Sequence, residues 1–571
     1  MSFKPGQTKV SSEMLISVLG LVYVHYRIPG SGDLYLTPYG MRHAALLKIE
    51  NWYDPEWFTT HRQRLSGTSA VYRVPTRPVH GQSLDLVVKN SRVGEEVPTD
   101  THMFIEFINA QFNSPWEEFS LTMELQDGKF GDKNITIKTQ EPLAIFVPSE
   151  TMQPWQSGRS IDRIRRIEAR HPGIDIDILR QYKLVYGWIH GMDLVECLDL
   201  LELPEAESTR HCIRFTRETI QALKEKGFEV ADMKASHIII AESDVTELTR
   251  IHTSGGNGTA YLQNLIATFQ YSIIDYELLT RTPDHTTEVF KARRRIYLNC
   301  QLDRFKKTSV PPFLKTSKIM GVPYVCGHTE STGGRLWVVG KNSKLFDYFL
   351  PERWRRTYSW KLSESSEIFY TISKDSIQLV WKTSRVGEIP CPNPNHPCAR
   401  AIIDFGYNSP FEEFAIAHDL ANKGIGVVYV RAIYRTGSKK LMPSTDHSRY
   451  RSHDGLSCPD GTPLLQHGYN YISLRGYFNG TDDWVATHHG VLCRPVDLLK
   501  AVTLEYITPS TAERIKADTM DDLYHAGYDG DLLSMDDILL ALTPDSTLLK
   551  DQHGAIDARI CNFEFIKHRP R

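Results

Sequence analysis

The stretch EVADMKASHIII (229–240) offers a carboxylate at Asp232, an ammonium at Lys234 and an imidazole at His237, then runs at once into three isoleucines. A carboxylate two positions before a lysine suits a loop that transfers phosphate, with His237 as its odd member. The same residues also suit an ordinary polar turn entering a buried strand. Spacing alone leaves both readings open. Which holds depends on what the rest of the chain places around the loop.

Self-similarity organises that chain. LVVKNSRVGEEV (86–97) recurs as LVWKTSRVGEIP (379–390), FNSPWEEFSLTMEL (112–125) as YNSPFEEFAIAHDL (407–420), and YGWIHG (186–191) as RGYFNG (475–480). DPEWFTTHRQRLSG (54–67) answers LPERWRRTYSWKLSE (350–364), and LGLVYV (19–24) answers MGVPYV (320–325). The order is kept throughout. Two copies of one domain are expected, at 14–300 and 315–571, with a linker at 301–314 and a loose polar start at 1–13. MLISVLGLVYV (14–24) has a mid-chain counterpart, so a folded strand is expected there rather than a signal core.

Local chemistry outlines each copy. SAVYRVPT (69–76) and LDLVVK (84–89) read as strands. Ser114 caps a helix, with Pro115 at its first position and Glu117 completing a capping box; Ser409, Pro410 and Glu412 repeat the device. LAIFVP (143–148) is a further strand, and KLVYGWIHG (183–191) a strand running into a turn. FTRETIQALKEKGF (215–228) reads as a helix ending at Gly227, and RTPDHTTEVFKARRRIYLNCQL (281–302) as two helices. The order is mixed α+β.

Composition narrows the class. The 571 residues allow two to four domains. They are 41% hydrophobic and 24% charged, with a mean hydropathy of −0.34, which fits a globular chain without a membrane-length apolar run. A net charge of −3 and a pI near 6.7 give no electrostatic case for nucleic-acid or membrane partners. The basic runs KARRRIY (291–297) and ERWRR (352–356) read as solvated faces. Nine irregularly spaced cysteines make no disulfide framework, and a cytoplasmic location is expected. Cys391, His396 and Cys398 in CPNPNHPC (391–398) lack a second ligand pair, so a Pro/Asn-rich loop is the reading and a metal site the alternative.

Taken in order, these motifs resemble the protein-kinase-like superfamily, including its aminoglycoside-phosphotransferase branch. Lys89 in VVK matches the lysine that holds the α- and β-phosphates, and Glu118 the helix glutamate that pairs with it. Gly67 in LSGTSAV (65–71) falls in the phosphate-covering loop, and Trp188 in GWIHGMDL (187–194) after the nucleotide hinge. Asp232 and Lys234 match the catalytic D-x-K, Asp275 in IDYELL (274–279) the metal-binding aspartate, and His237 the second metal ligand, normally Asn. The resemblance implies two tandem kinase-like domains, each a small antiparallel-sheet lobe with one helix plus a short, mainly helical lobe. It also implies ATP with Mg²⁺, or Mn²⁺ given the imidazole, and an unidentified hydroxyl acceptor.

The departures carry information too. The phosphate loop has one glycine where backbone amides need several, His237 also suits a structural role, and no A-P-E motif follows Asp275. In the second copy Lys382 and Glu413 persist as a structural pair. LSESSEIF (362–369) puts glutamate where Gly67 stood, Asn562 in CNFEFI (561–566) replaces Asp275, and GDLLSMDDILL (530–540) offers Asp531 and Asp536 without the lysine. A pseudokinase packed on the first copy is expected. The alternatives for the whole chain are a double pseudokinase scaffold and another transfer from ATP, such as adenylylation.

Overall fold

The computed structural model describes residues 15–65, 70–95, 97, 110–128, 131–153, 160–171, 174, 176–329, 333–363, 366–392, 399–440, 444–479, 487–488, 491–550 and 554–569. The chain divides into two compact units, 1–291 and 292–571. Each is mixed α+β. No helix among the described residues is long and apolar enough to cross a membrane. The polar start at 1–13, Gly67, His396 and Cys398 lie outside the described residues.

Unit 1 carries an antiparallel sheet. Its strands run, in spatial order, Leu15–Val18, Leu21–Ile28, Gly32–Leu36, Pro142–Pro148, Lys183–Gly187, Asp85–Asn90, Val71–Pro75 and Gln63–Arg64. The first hairpin turns at Leu19 and Gly20, with φ of 48° and 81°. Two consecutive positive φ values suit a two-residue turn whose twist matches that of its strands. The apolar run 14–24 thus supplies both strands of a hairpin.

The helix Pro115–Asp127 lies against this sheet. Ser114 accepts from the Glu117 amide at 3.2 Å, and the Glu117 carboxylate accepts from the Ser114 amide at 3.0 Å, the capping box read from the sequence. Buried Trp116 lies edge-on to Tyr23 and Tyr35, and Phe119 stands 5.1 Å from the Tyr186 ring. Burying side chains of this size stabilises by about 1.5–3 kcal/mol each, so the helix is held by its apolar face.

A second sheet, in the order Gly191–Asp193, Ile238–Ala241, Ser272–Ile273 and Lys138–Thr139, sets the polar loop. The Asp232–His237 segment leads into Ile238–Ala241, and Asp275 follows Ser272–Ile273. The helix Glu205–Lys226 closes at Gly227, φ 94°, as the sequence indicated. It begins ten residues earlier than expected, where Glu205 and Glu207 occupy its first turn and complement the helix dipole. Pro283–Leu302 forms one helix rather than two, because neither glycine nor a second proline interrupts it.

The large sheet of unit 2 repeats that of unit 1 strand for strand. Its sheet runs Lys315–Ile319, Val322–Thr329, Gly334–Val339, Val428–Lys439, Tyr469–Asn479, Gln378–Thr383, Ile368–Ile372 and Ser359–Lys361. Its first hairpin turns at Met320 and Gly321, φ 46° and 86°. The helix Pro410–Asn422 has the same capping box at Ser409 and Glu412. A smaller sheet joins Arg494–Asp497, Ile538–Leu542 and Arg559–Ile560.

Candidate functional site

The site of unit 1 is assembled from segments far apart in the chain. Lys89, near the end of the strand Asp85–Asn90, points its ammonium at Glu118 on the helix, 2.7 Å away, and at Asp275, 3.4 Å away. Lys89 and Glu118 are both buried. Burial opposes a charge on Lys89, but Glu118, Asp275 and Glu277 overrule it and raise its pKa, so the ammonium is fixed. The Tyr186 hydroxyl, from the neighbouring strand, donates to Glu118 at 2.6 Å.

The loop residues meet this pair. A single 3₁₀ turn, Ala235–His237, precedes the strand Ile238–Ala241, and the His237 carbonyl accepts from the Ile274 amide at 2.9 Å. That bond draws the next residue, Asp275, alongside the loop. His237 Nε2 stands 3.9 Å from the Asp275 carboxylate, and Lys234 Nζ stands 3.7 Å from that of Asp232. Lys234 is the exposed member, at 52%. Asp232, His237 and Asp275 each offer one ligand atom, all within 4.8 Å of one another. Asp232 Oδ1 and His237 Nδ1 are buried without a hydrogen-bond partner among the described residues. Orphaned buried polar atoms are costly.

Asp275 has φ 66°, in the left-handed region that aspartate tolerates better than most residues. Backbone strain of this kind gathers at functional sites. Burial raises Asp275, yet Lys89 and His237 bring it below the usual carboxylate value. Burial, then the charge of Asp275, raises Asp232. The same two causes push Glu277 up to about 7. Three cations, Lys89, Arg92 and Lys234, thus share this region with four carboxylates, Glu118, Asp232, Asp275 and Glu277.

Arg92, Asn113, Tyr186 and Glu277 escaped the motif reading. Arg92 donates to Glu277 at 3.1 Å. Asn113 pins the segment after Asp275: its side chain donates to the carbonyls of Tyr276 and Leu279, and its amide to that of Glu277. A signal existed for three of these, since Arg92, Asn113 and Glu277 recur as Arg385, Asn408 and Glu564 in the repeated segments. Trp188, expected beside the nucleotide, follows the strand Lys183–Gly187. Its amide donates to the Asp85 carbonyl at 3.0 Å, and its ring lies under the Arg73 guanidinium at 4.6 Å. No contact of Trp188 with the lysine–carboxylate cluster is seen among the described residues.

Unit 2 fills the same positions differently. Its 3₁₀ turn Met535–Asp537 precedes Ile538–Leu542, and the Asp537 carbonyl accepts from the Cys561 amide at 2.8 Å. The turn therefore sets Leu532 where Asp232 stands, Ser534 for Lys234 and Asp537 for His237, rather than Asp531 or Asp536 in the aspartate's place. Asn562 stands for Asp275, and its amide donates to Asp537 at 2.9 Å. Lys382 lies 2.9 Å from both Glu564 and Asn562 but 3.7 Å from Glu413. The expected Lys382–Glu413 pair is thus the looser one, and Arg475 is bonded to Glu413. Arg385 joins Lys382 on Glu564, and together they hold its carboxyl down at about 2 although burial opposes this.

No protein-family model matches this chain, and no curated protein matches it.

Proposed function

We propose that unit 1 is an ATP-dependent phosphotransferase of the protein-kinase-like superfamily and that unit 2 is its pseudokinase partner, serving a structural or regulatory role. One observation carries the reading. Lys89 and Asp275, 186 positions apart, meet at one point together with Glu118, Asp232 and His237. Phosphoryl transfer needs such a set: fixed cations beside the phosphates, hard oxygen ligands for a metal and a carboxylate for the acceptor hydroxyl.

In this reading Lys89 holds the α- and β-phosphates, oriented by Glu118. Lys234, the exposed ammonium, reaches the transferred phosphoryl group. Asp232 accepts the proton of an alcohol acceptor, and its raised pKa suits a base better than an ordinary aspartate would. Asp275 and His237 are the residues to hold a divalent cation, and the grouping of their ligand atoms with one of Asp232, all within 4.8 Å of one another, supports that fit. When bound, such a cation neutralises phosphate charge. An imidazole ligand favours Mn²⁺ over Mg²⁺. In unit 2, Asn562 and Asp537 satisfy each other, which supports its assignment as the inactive copy.

Calorimetry on the full chain tests this with ATP plus Mg²⁺ and then Mn²⁺. One metal-dependent site per chain, lost in Lys89→Ala, is expected, with phosphate transfer lost in Asp232→Asn. Absence of binding with either metal overturns the reading. The single glycine of the phosphate loop, Gly67, and His237 favour a second reading, a catalytically inactive double pseudokinase serving as a binding scaffold. Binding without any ATP turnover would establish it.

A further inference from the structure

Matching strands of the two units aim different side chains at matching glutamates. Tyr186 faces Glu118 in unit 1, and Arg475 faces Glu413 in unit 2. The lysines differ accordingly. Lys89 is 2.7 Å from Glu118, whereas Lys382 is 3.7 Å from Glu413 and 2.9 Å from Glu564. Glu564 is the counterpart of Glu277, which in unit 1 is bonded to Arg92.

We propose that the residue at this strand position selects the carboxylate that holds the site lysine. Tyr186 leaves Glu118 charged to take Lys89, and Arg475 neutralises Glu413 and releases Lys382 to Glu564. A tyrosine hydroxyl is a neutral donor. It occupies one lone pair of Glu118 and leaves the full negative charge for a cation. Burial and the charge of Glu118 raise the pKa of Tyr186 far up, so the hydroxyl remains neutral. A guanidinium is always charged and binds a carboxylate strongly. With Arg475 on Glu413, a second buried cation gains little there and moves to the next available carboxylate. Arg475 also donates to the Cys561 carbonyl, which fixes it beside the segment that carries Asn562 and Glu564.

The consequence for ligands rests on the reading of unit 1 as a nucleotide site. On Glu118, Lys89 also faces Asp275, a metal-ligand candidate. On Glu564, Lys382 is enclosed with Asn562, whose own amide is spent on Asp537. Tyr186 is therefore a positioning residue, acting through Glu118 on Lys89.

The test uses the full chain carrying Tyr186→Arg, with a crystal structure and with double-mutant cycles in urea unfolding. The cycles pair Lys89→Met with Glu118→Gln and, separately, with Glu277→Gln. In the parent, Lys89 couples more strongly to Glu118. In Tyr186→Arg the order is expected to invert, with Lys89 nearer Glu277 in the crystal. Lys89 remaining on Glu118 overturns the proposal. Tyr186→Phe adds no cation and is expected to keep Lys89 on Glu118; a switch there overturns it too, since the charge would not be the selector. If Tyr186→Arg does not fold, Arg475→Tyr decides. Lys382 moving to Glu413 supports the selector, and Lys382 staying on Glu564 refutes it. Nucleotide binding in Tyr186→Arg is expected to weaken about tenfold, the effect of about one lost charge-assisted contact. If the parent binds no nucleotide, the reading of unit 1 fails, while the coupling order still decides the role of residue 186.

Discussion

Lys89 and Lys382 occupy equivalent positions on equivalent strands, yet carboxylates outnumber cations around the first and not around the second. Around Lys89 the carboxylates outnumber the cations, two buried atoms lack partners and Glu277 is pushed up to about 7. Around Lys382, three cations meet Glu413 and Glu564, and Asn562 bonds both Lys382 and Asp537, while Arg475 Nε lacks a partner among the described residues. A few substitutions separate them: Asp232 against Leu532, His237 against Asp537, Asp275 against Asn562 and Tyr186 against Arg475. The scaffold was kept and the charge balance was changed. Excess buried negative charge is relieved by added cations, and a balanced network has no such need.

The sharpest break of this comparison is at Asp275. Asp275→Ala is expected to lower phosphate transfer about a thousandfold, the scale of losing a preorganised electrostatic group. Asn562→Ala is expected to leave it unchanged. Assays of ATP turnover on the two full-length variants decide this, and equal losses would erase the distinction between the units.

Next in size is the glutamate after each of these residues. Glu564→Ala leaves Lys382 and Arg385 without their shared partner and is expected to destabilise unit 2 by about 3–5 kcal/mol in urea unfolding. Glu277→Gln is expected to be neutral or stabilising above pH 7 in metal-free protein, because it removes a carboxylate whose charge burial and Asp275 disfavour.

The pH dependence should separate the same two residues. Glu277 has its folded-state pKa raised from 4.5 to about 7. Its contribution to stability is fully present below 4.5 and is lost as pH rises through about 7. Glu564 is lowered from 4.5 to about 2. Its contribution is present above 4.5 and is lost as pH falls through about 2. Urea midpoints measured against pH with a chelator present should show these opposite limbs. Glu277→Gln should remove one and Glu564→Gln the other.

The smallest effects should be shared. Asn113→Ala and Asn408→Ala each remove an amide that donates to two buried carbonyls, Tyr276 and Leu279 in unit 1, Phe563 and Ile566 in unit 2. Each is expected to cost about 1–3 kcal/mol. Ser114→Ala and Ser409→Ala should each cost about 1 kcal/mol through the lost cap. A marked inequality within either pair would show that the frame, and not only the charge pattern, has diverged.

The sequence by itself determined whatever rests on local chemistry or on self-comparison. Ser-Pro-x-Glu specified the capping box of the helices Pro115–Asp127 and Pro410–Asn422, because its hydrogen bonds close within three residues. Gly227 marked a helix end, since only a residue free to take positive φ closes it cheaply. The internal repeat anticipated one topology used twice, and the residue types of the loop 229–240 mark it without any knowledge of its contacts. Helix starts without a side-chain cap, such as that of Glu205–Lys226, were misjudged. So was the division of the helix Pro283–Leu302, since nothing but the absence of a breaker marks its continuity.

Only the tertiary structure decided which charges answer one another. Tyr186 and Arg475 look unrelated in the strings YGWIHG and RGYFNG, yet each faces the glutamate that pairs with, or releases, the site lysine. Asp531 and Asp536 resembled candidates for the place of Asp232 until the turn before Ile538 set Leu532 there. The physical reason is that burial strengthens every electrostatic contact and makes each charge compete for partners within a few ångströms. Those distances are set by strands, helices and loops as far as 186 positions apart, and no local pattern records them.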